Sequence, residues 1–405
     1  MLKARGLRPL LAAQAVSSLG SQMTFLALPW FVLVTTGSAT RMGVVLAVEL
    51  LPVAILGIPS GTVVAKLGAR RTLLVCDAAR APVMLAIPLL HSAGLLSFPL
   101  LLVCVALVGV FIAPSFSAQR LILPDLVGED ERAVTRANAI MEGVQRLTSL
   151  LGPATAGVLI SLLGATNVLY LDAATFAFSF LVLRFLVPHR APAPVSEESR
   201  GLLAGVRFIL RDRLLASLGI TALFLNAFGQ MLTASLPVLA FQQFDESSRI
   251  AGGFFAAFGG GAVLGSLIAV RIVHRFEPIR LGAFSLVVLT LPIWILPLGL
   301  PAPGVMAALF VSSVFGPLVN APLIGVITMR TPEALRAKVM TAVLTFAMLA
   351  GPVGLLAVGP LLAGVGVYKV FLVIAAGQSL ASLVFALAAL RTHREHPAEE
   401  VAVST

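Results

Sequence analysis

The sequence predicts an all-α membrane protein with twelve transmembrane helices, arranged as two related six-helix bundles. The first observation is composition: 59% of the 405 residues are hydrophobic, 11% are charged and the mean hydropathy is +1.02. Soluble domains carry about 25% charged residues, so this chain has too little charge to cover a water-exposed surface. The second observation is a series of apolar windows near the length of about 20 residues that a helix needs to cross a bilayer.

Six windows precede a polar linker and six follow it. They cover residues 9–34, 40–64, 72–90, 97–118, 137–163 and 165–187, and then 214–241, 250–273, 279–298, 304–327, 337–365 and 368–390. The predicted domains are therefore an N-terminal bundle (1–187), a cytoplasmic linker (188–213) and a C-terminal bundle with a short cytoplasmic tail (214–405). Within the linker, the pattern of residues 201–212 indicates an amphipathic helix lying in the membrane interface.

The third observation is an internal repeat at an offset of about two hundred residues. Residues 57–71 (GIPSGTVVAKLGARR) and 261–275 (GAVLGSLIAVRIVHR) both indicate the end of an apolar helix followed by a short basic turn. Each copy has two glycines four residues apart, Gly57 with Gly61 and Gly261 with Gly265, a spacing that lets a neighbouring helix approach closely. Two such copies favour a duplicated membrane bundle.

Positive charge is distributed unevenly between the two sides of the predicted membrane. Lys66, Arg70 and Arg71 lie in one short turn, and most of the 28 Lys and Arg fall on the same side as that turn. Basic residues in short loops stay in the cytoplasm. The net charge of +10 therefore indicates membrane orientation rather than nucleic-acid binding, and both termini are predicted to be cytoplasmic.

The sequence excludes several other classes of function. Cys76 and Cys104 both lie in apolar windows, so neither a disulfide nor a metal site is indicated. We find no GxSxG, HExxH, P-loop or Cys/His cluster. No cofactor is therefore expected, and the sequence disfavours both an enzyme and an ATP-driven pump.

Several motifs resemble the major facilitator superfamily. Gly61, Gly68, Arg70 and Arg71 are similar to its loop signature, although Ala65 stands where family members carry an acidic residue. LPDLV at 123–127, RANA at 136–139 and Gly-Pro at 152–153 resemble the branch that holds macrolide-efflux and enterobactin-exporter proteins. The resemblance implies a monomeric transporter in the bacterial inner (plasma) membrane. Such a protein moves a small molecule by alternating access through a mid-membrane cavity between two pseudo-symmetric bundles.

Two acid–base pairs fall within the spans of the first half. Glu142 and Arg146 are four residues apart, and Asp77 and Arg80 are three apart, so each pair can neutralise itself on one helix. They either brace the cytoplasmic ends of the helices or break and reform during transport. With Lys66, Arg70 and Arg71 they are the candidates for gating or charge relay.

Glu49 and Asp172 have no cation within a helical turn. A carboxyl group in a low-dielectric environment can exchange protons near neutral pH, so both are candidates for proton coupling. Alternatively, each protonated acid simply hydrogen-bonds to a neighbouring helix. None of the five histidines lies in mid-span, which disfavours a histidine relay.

The resemblance implies a substrate cavity lined by spans one, four, seven and ten. Sparse polar groups among aromatic rings suit a bulky amphipathic ligand, although ordinary helix packing explains each residue singly. The window 97–118 contains no charge, so the arginine that drug exporters of the family carry in span four has no counterpart there. The candidate lining residues are Gln14, Ser18, Gln22, Phe25, Trp30, Phe116, Phe224, Asn226, Gln230 and Asn320.

Three hypotheses follow for function. The first is secondary active efflux of a hydrophobic or amphipathic compound, drug-like or macrolide-like, by proton antiport. The second is uniport or uptake of a metabolite, or export of a siderophore-like anion drawn to the positive inner face. The third is a membrane protein that binds a ligand or assembles with partners without transporting anything.

Overall fold

The computed structural model describes residues 6–128, 131–188, 213–331 and 333–395, and within these ranges it is helical, without strands. The first half contains seven helical segments: α1 (Leu7–Thr36), α2 (Ala39–Leu67), α3 (Ala69–Ser92), α4 (Phe98–Val110), α5 (Ile112–Val127), α6 (Glu131–Leu163) and α7 (Ala165–Leu186). The second half contains α8 (Arg213–Gln243), α9 (Ser248–Ile272), α10 (Pro278–Thr290), α11 (Ala302–Arg330), α12 (Glu333–Val365) and α13 (Val367–Glu395). The predicted linker helix at 201–212 lies outside the described residues.

The all-α membrane architecture is confirmed. Among the described residues, eleven helical stretches are long and apolar enough to cross a membrane, and Ala350–Val365 at the end of α12 is a shorter apolar stretch. The fourth stretch runs over both α4 and α5, from Phe98 to Val127, with a turn at Phe111 between them. The fourth span is therefore longer than the predicted window 97–118.

Local sequence explains where the helices begin and end. Gly37 ends α1 with a left-handed φ of 62°, and its N–H donates to the Leu33 carbonyl at 2.8 Å. Ser38 begins α2, because its hydroxyl accepts from the Arg41 N–H at 3.2 Å, a standard helix N-cap. Two consecutive helices thus meet in a two-residue turn, as an antiparallel hairpin requires.

The helices form two compact units. The first unit contains Met1–Ser196 and Leu236–Ala256, and the second contains Glu197–Ser235 and Ala257–Thr405. One core of the first unit includes Leu7 and Leu10 of α1, Leu73 of α3 and Ile122 of α5, each at most 1% exposed. A core of the second unit collects residues from α8, α10, α11, α12 and α13, among them Leu215, Leu286, Val319, Val339 and Phe385.

The two copies of the glycine motif differ in their surroundings. A Cβ at Gly261 would lie 3.0 Å from the backbone carbon of Phe310 on α11, and one at Gly265 would lie 2.7 Å from that of Val314. The predicted close approach is therefore correct for the second copy. For the first it was wrong, because within the described ranges nothing lies within 4 Å of a Cβ at Gly57 or Gly61. The first pair lies on a face of α2 that no described neighbour covers.

Candidate functional site

A buried ion pair lies inside the first unit. Arg80 Nη2 is 2.7 Å from Asp77 Oδ1, and the two side chains are 9% and 2% exposed. Both residues belong to α3, three positions apart, so the helix itself sets their approach. Ser179 of α7 donates its hydroxyl to the other carboxylate oxygen of Asp77 at 2.6 Å, which ties the pair to a second helix.

The Arg80 guanidinium reaches two further helices. Its Nη2 also donates to the Ser115 hydroxyl of α5 at 3.1 Å. The charge lies 4.4 Å from the ring centroid of Phe176 on α7, within the range of a cation–π interaction. Hydrogen bonds and an aromatic face therefore compensate the burial of this cation, as a buried charge requires.

Asp172 of α7 is fully buried, with 0% exposure. It accepts hydrogen bonds from Thr24 of α1 at 2.6 Å and from Thr175, one turn further along α7, at 3.2 Å. A Cβ on Gly20 of α1 would come within 2.5 Å of Oδ1 of Asp172 and still closer to the Thr175 hydroxyl. Glycine at position 20 is thus what allows α1 to pack directly over this carboxyl group.

Glu49 of α2 is half-buried. Its carboxyl group lies close enough to Asp172 for their charges to interact, and Arg80 and Asp77 both act electrostatically on Asp172. The structure therefore brings Glu49, Asp77, Arg80 and Asp172 into one electrostatic group, which we call the acid cluster. Three carboxyl groups and one guanidinium are unequal in number, and burial strongly penalises uncompensated charge.

The basic turn between α2 and α3 contacts the end of α7. Arg70 donates from Nε to the Val187 carbonyl at 2.8 Å and from Nη2 to the Arg184 carbonyl at 2.8 Å. A cation that binds carbonyls at a helix C-terminus satisfies acceptors that the helix leaves unpaired. Lys66 and Arg71 are exposed. Arg70 thus fixes the end of the first six-span segment.

The second acid–base pair has a very different environment. Arg146 Nη2 is 3.6 Å from Glu142 Oε1 on α6, and their side chains are 55% and 59% exposed. The spacing along the helix resembles that of Asp77 and Arg80, yet this pair is open to its surroundings. The two pairs have similar spacing in the sequence, but the structure buries Asp77–Arg80 and exposes Glu142–Arg146.

Polar side chains of α1 and α5 bond to α6 within one turn of Arg146, and α5 carries a cation–π contact beside one of these bonds. Gln22 donates to the Ser149 hydroxyl at 2.9 Å, and Gln145 donates to Gln119 at 3.1 Å. The Arg120 guanidinium lies 5.0 Å from the ring centroid of Phe116. We call this set the polar wall: Gln22, Phe116, Gln119, Arg120, Glu142, Gln145, Arg146 and Ser149.

The position of Arg120 in α5 corrects the sequence-based conclusion that the fourth span carries no charge. The predicted fourth window ended at residue 118 and contained no charge, whereas the helix continues to Val127 and includes Arg120. The window ended early because Gln119 and Arg120 interrupt its apolar run. A polar residue ends a hydropathy window, but it does not end a helix whose polar face has partners.

The other predicted lining residues fall into two groups. Gln14 and Trp30 are buried at 3% exposure, and the Trp30 ring packs edge-on against Phe241 within the first unit. Ser18 and Gln230 are half-buried, and Asn226 and Asn320 are exposed. Phe25, Phe116 and Phe224 are 37%, 46% and 47% exposed. The aromatic candidates other than Trp30 are thus exposed on the protein surface.

The described residues contain no group of three or more His, Cys, Asp or Glu side chains that could hold a metal ion. Cys76 and Cys104 are free and buried. Neither cysteine is therefore placed to act at a surface.

Comparison with protein families gives a match over most of the chain. The sequence model of the Major Facilitator Superfamily matches residues 10–355. The multidrug efflux pump Tap of Mycobacterium tuberculosis is 29% identical, over 90% of this chain and 89% of the pump. The pump of the same name from Mycolicibacterium fortuitum is 28% identical, over 93% of both chains. The staphyloferrin A transporter of Staphylococcus aureus is 24% identical, over 66% of this chain and 67% of the transporter.

Solved structures resemble the fold of this chain. The nucleoside transporter NupG aligns with a TM-score of 0.78 at 14% identity, covering 94% of this chain and 98% of NupG. A bacterial homologue of the human lysosomal transporter Spinster aligns with a TM-score of 0.68 at 13% identity, covering 95% and 96%. At such low identity these structures support the fold alone.

Proposed function

The chain belongs to the Major Facilitator Superfamily, and from this premise we propose that it is a secondary active efflux transporter. The proposed reaction exchanges protons for a hydrophobic or amphipathic small molecule by alternating access. Relatives named as multidrug efflux pumps, similar over about nine-tenths of the chain, support the direction of transport. The protein would reside in a bacterial plasma membrane as a monomer, with both termini in the cytoplasm.

The acid cluster is the observation that carries the proton coupling. It contains three carboxyl groups and one cation, so it can hold protons that a conformational change exposes and releases. Glu49 and Asp172 are the proposed proton-binding groups. Asp172 is shielded by Thr24 and Gly20, whereas Glu49 is partly accessible. Glu49 is therefore the proposed entry point and Asp172 the inner site.

The remaining charged residues have proposed roles in relaying conformational change. Arg80 holds Asp77 and lies over Phe176, one turn from Asp172 on α7. A change in the charge of Asp172 therefore acts on the same helix face that Arg80 occupies. Arg70 ties the basic turn to the end of α7, and Lys66 and Arg71 contribute positive charge beside it.

A proton gradient is a sufficient energy source. The sequence contains no P-loop, and one elementary charge crossing 100 mV supplies about 2.3 kcal/mol. That free energy corresponds to an accumulation of roughly fifty-fold. One proton per substrate therefore suffices for efflux against a substantial gradient.

Reconstitution into proteoliposomes with an imposed pH gradient tests the proposal. Movement of the amphipathic dye rhodamine B is followed for the wild type, Glu49→Gln and Asp172→Asn. Glu277→Gln is the matched control, because it removes a carboxyl group that is 39% exposed and paired with Arg280 outside the acid cluster.

Antiport predicts dye movement that requires the gradient, is abolished by Glu49→Gln or Asp172→Asn, and survives Glu277→Gln. Gradient-independent movement would indicate a uniporter of the kind expected for a metabolite or siderophore. Binding without movement would indicate a non-transporting membrane protein. If dye movement by Glu49→Gln and by Asp172→Asn still required the pH gradient as in the wild type, the assigned proton sites would be refuted.

A further inference from the structure

The polar wall lies at membrane depth. Gln22 is at the midpoint of α1, bonds to Ser149, and would touch a Cβ on Gly152. Taking that level as the bilayer midplane, a rise of 1.5 Å per residue places Arg146 about 7 Å and Glu142 about 13 Å from it. Both depths fall within the hydrocarbon region, whose half-thickness is about 15 Å.

Arg120 lies at a similar depth. Its neighbour Gln119 is bonded to Gln145 of α6, which places it about 8 Å from the same midplane. Arg120 is exposed, as are Glu142 and Arg146. Charged side chains at this depth face a water-filled cavity or the bundle interior rather than lipid. The exposed wall is therefore a surface of the aqueous pathway.

The wall carries an uncompensated positive charge. Glu142 faces Arg146 at 3.6 Å, which leaves the charge of Arg120. Among the described residues no carboxylate forms an ion pair with Arg120. Asp125, five residues along the same helix, lies about 140° around the helix axis. The nearby aromatic contact, Phe116, is 46% exposed and so has a free face.

The rest of the chain offers few carboxylates for that charge. The six apolar windows of the second half contain no Asp or Glu. In the first half, Asp77 and Asp172 of the acid cluster are buried and accept hydrogen bonds from Ser179 and Thr24, respectively. A cation held at membrane depth with little protein counter-charge is suited to an anion that arrives with the substrate.

We propose that the polar wall binds an organic anion: a carboxylate on the transported compound pairs with Arg120 while a flat ring of the same compound packs on Phe116. The assignment rests on the proposed transport function and names its substrate class. A guanidinium can bind a carboxylate through two parallel N–H donors. The neighbouring ring accepts an apolar surface, so the combination selects amphipathic acids.

Equilibrium binding of a matched dye pair to the purified full-length protein in nanodiscs tests this inference. Rhodamine B carries a free carboxylate, and its ethyl ester has the same ring system with that charge removed. Fluorescence polarisation gives the two dissociation constants. The wild type should bind the acid about tenfold more tightly than the ester, the effect expected for one charge-assisted hydrogen-bonding pair.

Arg120→Gln should reduce that ratio to near one, and Arg120→Lys should preserve part of it. Arg41→Gln is the matched control, because Arg41 is also an exposed arginine over a phenylalanine ring, 5.3 Å from Phe98, at the start of α2. The ratio of the two dissociation constants for Arg41→Gln should equal that of the wild type.

Equal affinity of the wild type for acid and ester would overturn the inference without any variant being needed. A ratio that survives Arg120→Gln, or no binding of either dye, would overturn it as well. The measurement requires no pH gradient. A protein that discriminates the dyes but lacks gradient-driven transport would therefore refute the proposed function and leave the anion site standing.

Discussion

Replacing Arg80 with methionine removes the cation of the acid cluster while keeping an unbranched side chain over Phe176. The Arg80 side chain is 9% exposed and Asp77 is 2% exposed, so the substitution leaves a carboxylate buried with the Ser179 hydroxyl as its donor. Removing one partner of a buried ion pair costs about 3–5 kcal/mol. We expect the free energy of unfolding to fall by that amount.

Replacing both Asp77 and Arg80 with apolar residues separates the cost of burying the two charges from the attraction between them. In Asp77→Leu/Arg80→Met no uncompensated charge remains, and such replacements are often neutral or stabilising. The double variant should recover most of the lost stability, with a coupling free energy of about 3 kcal/mol in the double-mutant cycle. Arg146→Met is the control, since its pair with Glu142 is more than half exposed and should cost at most about 1 kcal/mol.

Unfolding by denaturant titration in micelles, followed by circular dichroism, measures these differences. The reasoning fails if Arg80→Met is no more destabilising than Arg146→Met. It also fails if the double variant is less stable than Arg80→Met alone, because the loss would then come from packing rather than from charge burial.

Two further predictions concern packing and the basic turn. Gly152→Val should separate α1 from α6, because its Cβ would lie 3.0 Å from the backbone carbon of Gln22. The thermal unfolding temperature and the rate of dye transport should both fall. Gly143→Val on the same helix is the control and should change neither, because among the described residues nothing lies within 4 Å of its Cβ. Arg70→Gln removes two hydrogen bonds to the end of α7, and we expect it to lower the local stability of that helix end by about 1–2 kcal/mol. Amide hydrogen exchange there should become faster. Equal exchange rates in Arg70→Gln and in the exposed-site control Arg71→Gln would contradict this prediction.

The spans were predictable because membrane crossing imposes a length and an apolar composition that a single sequence displays. Their ends were not. The fourth helix continues through Gln119 and Arg120 because both side chains find partners, Gln145 on α6 and the Phe116 ring. Those partners become visible only once the helices are packed.

The glycine motif shows a second limit of the sequence. Residues 57–61 and 261–265 have the same glycine spacing, but only the second pair packs against a described neighbour. Two glycines four residues apart show only that one face of the helix lacks bulky side chains. Whether another helix lies on that face depends on tertiary structure, which neither copy encodes locally.

Helical spacing alone does not distinguish Asp77–Arg80 from Glu142–Arg146, but the structure places the first pair in a buried environment and the second in an exposed one. The first pair is held by Ser115, Ser179 and Phe176, contacts from two other helices, and such a network is costly to break. The second is open, with its two side chains more than half exposed and 3.6 Å between Arg146 Nη2 and Glu142 Oε1. We therefore propose that proton handling falls to charges enclosed by the first unit, and substrate contact to charges on its exposed wall. If this division is correct, Arg120→Gln alters which compounds bind while Asp172→Asn alters whether a gradient drives them, and neither substitution reproduces the defect of the other.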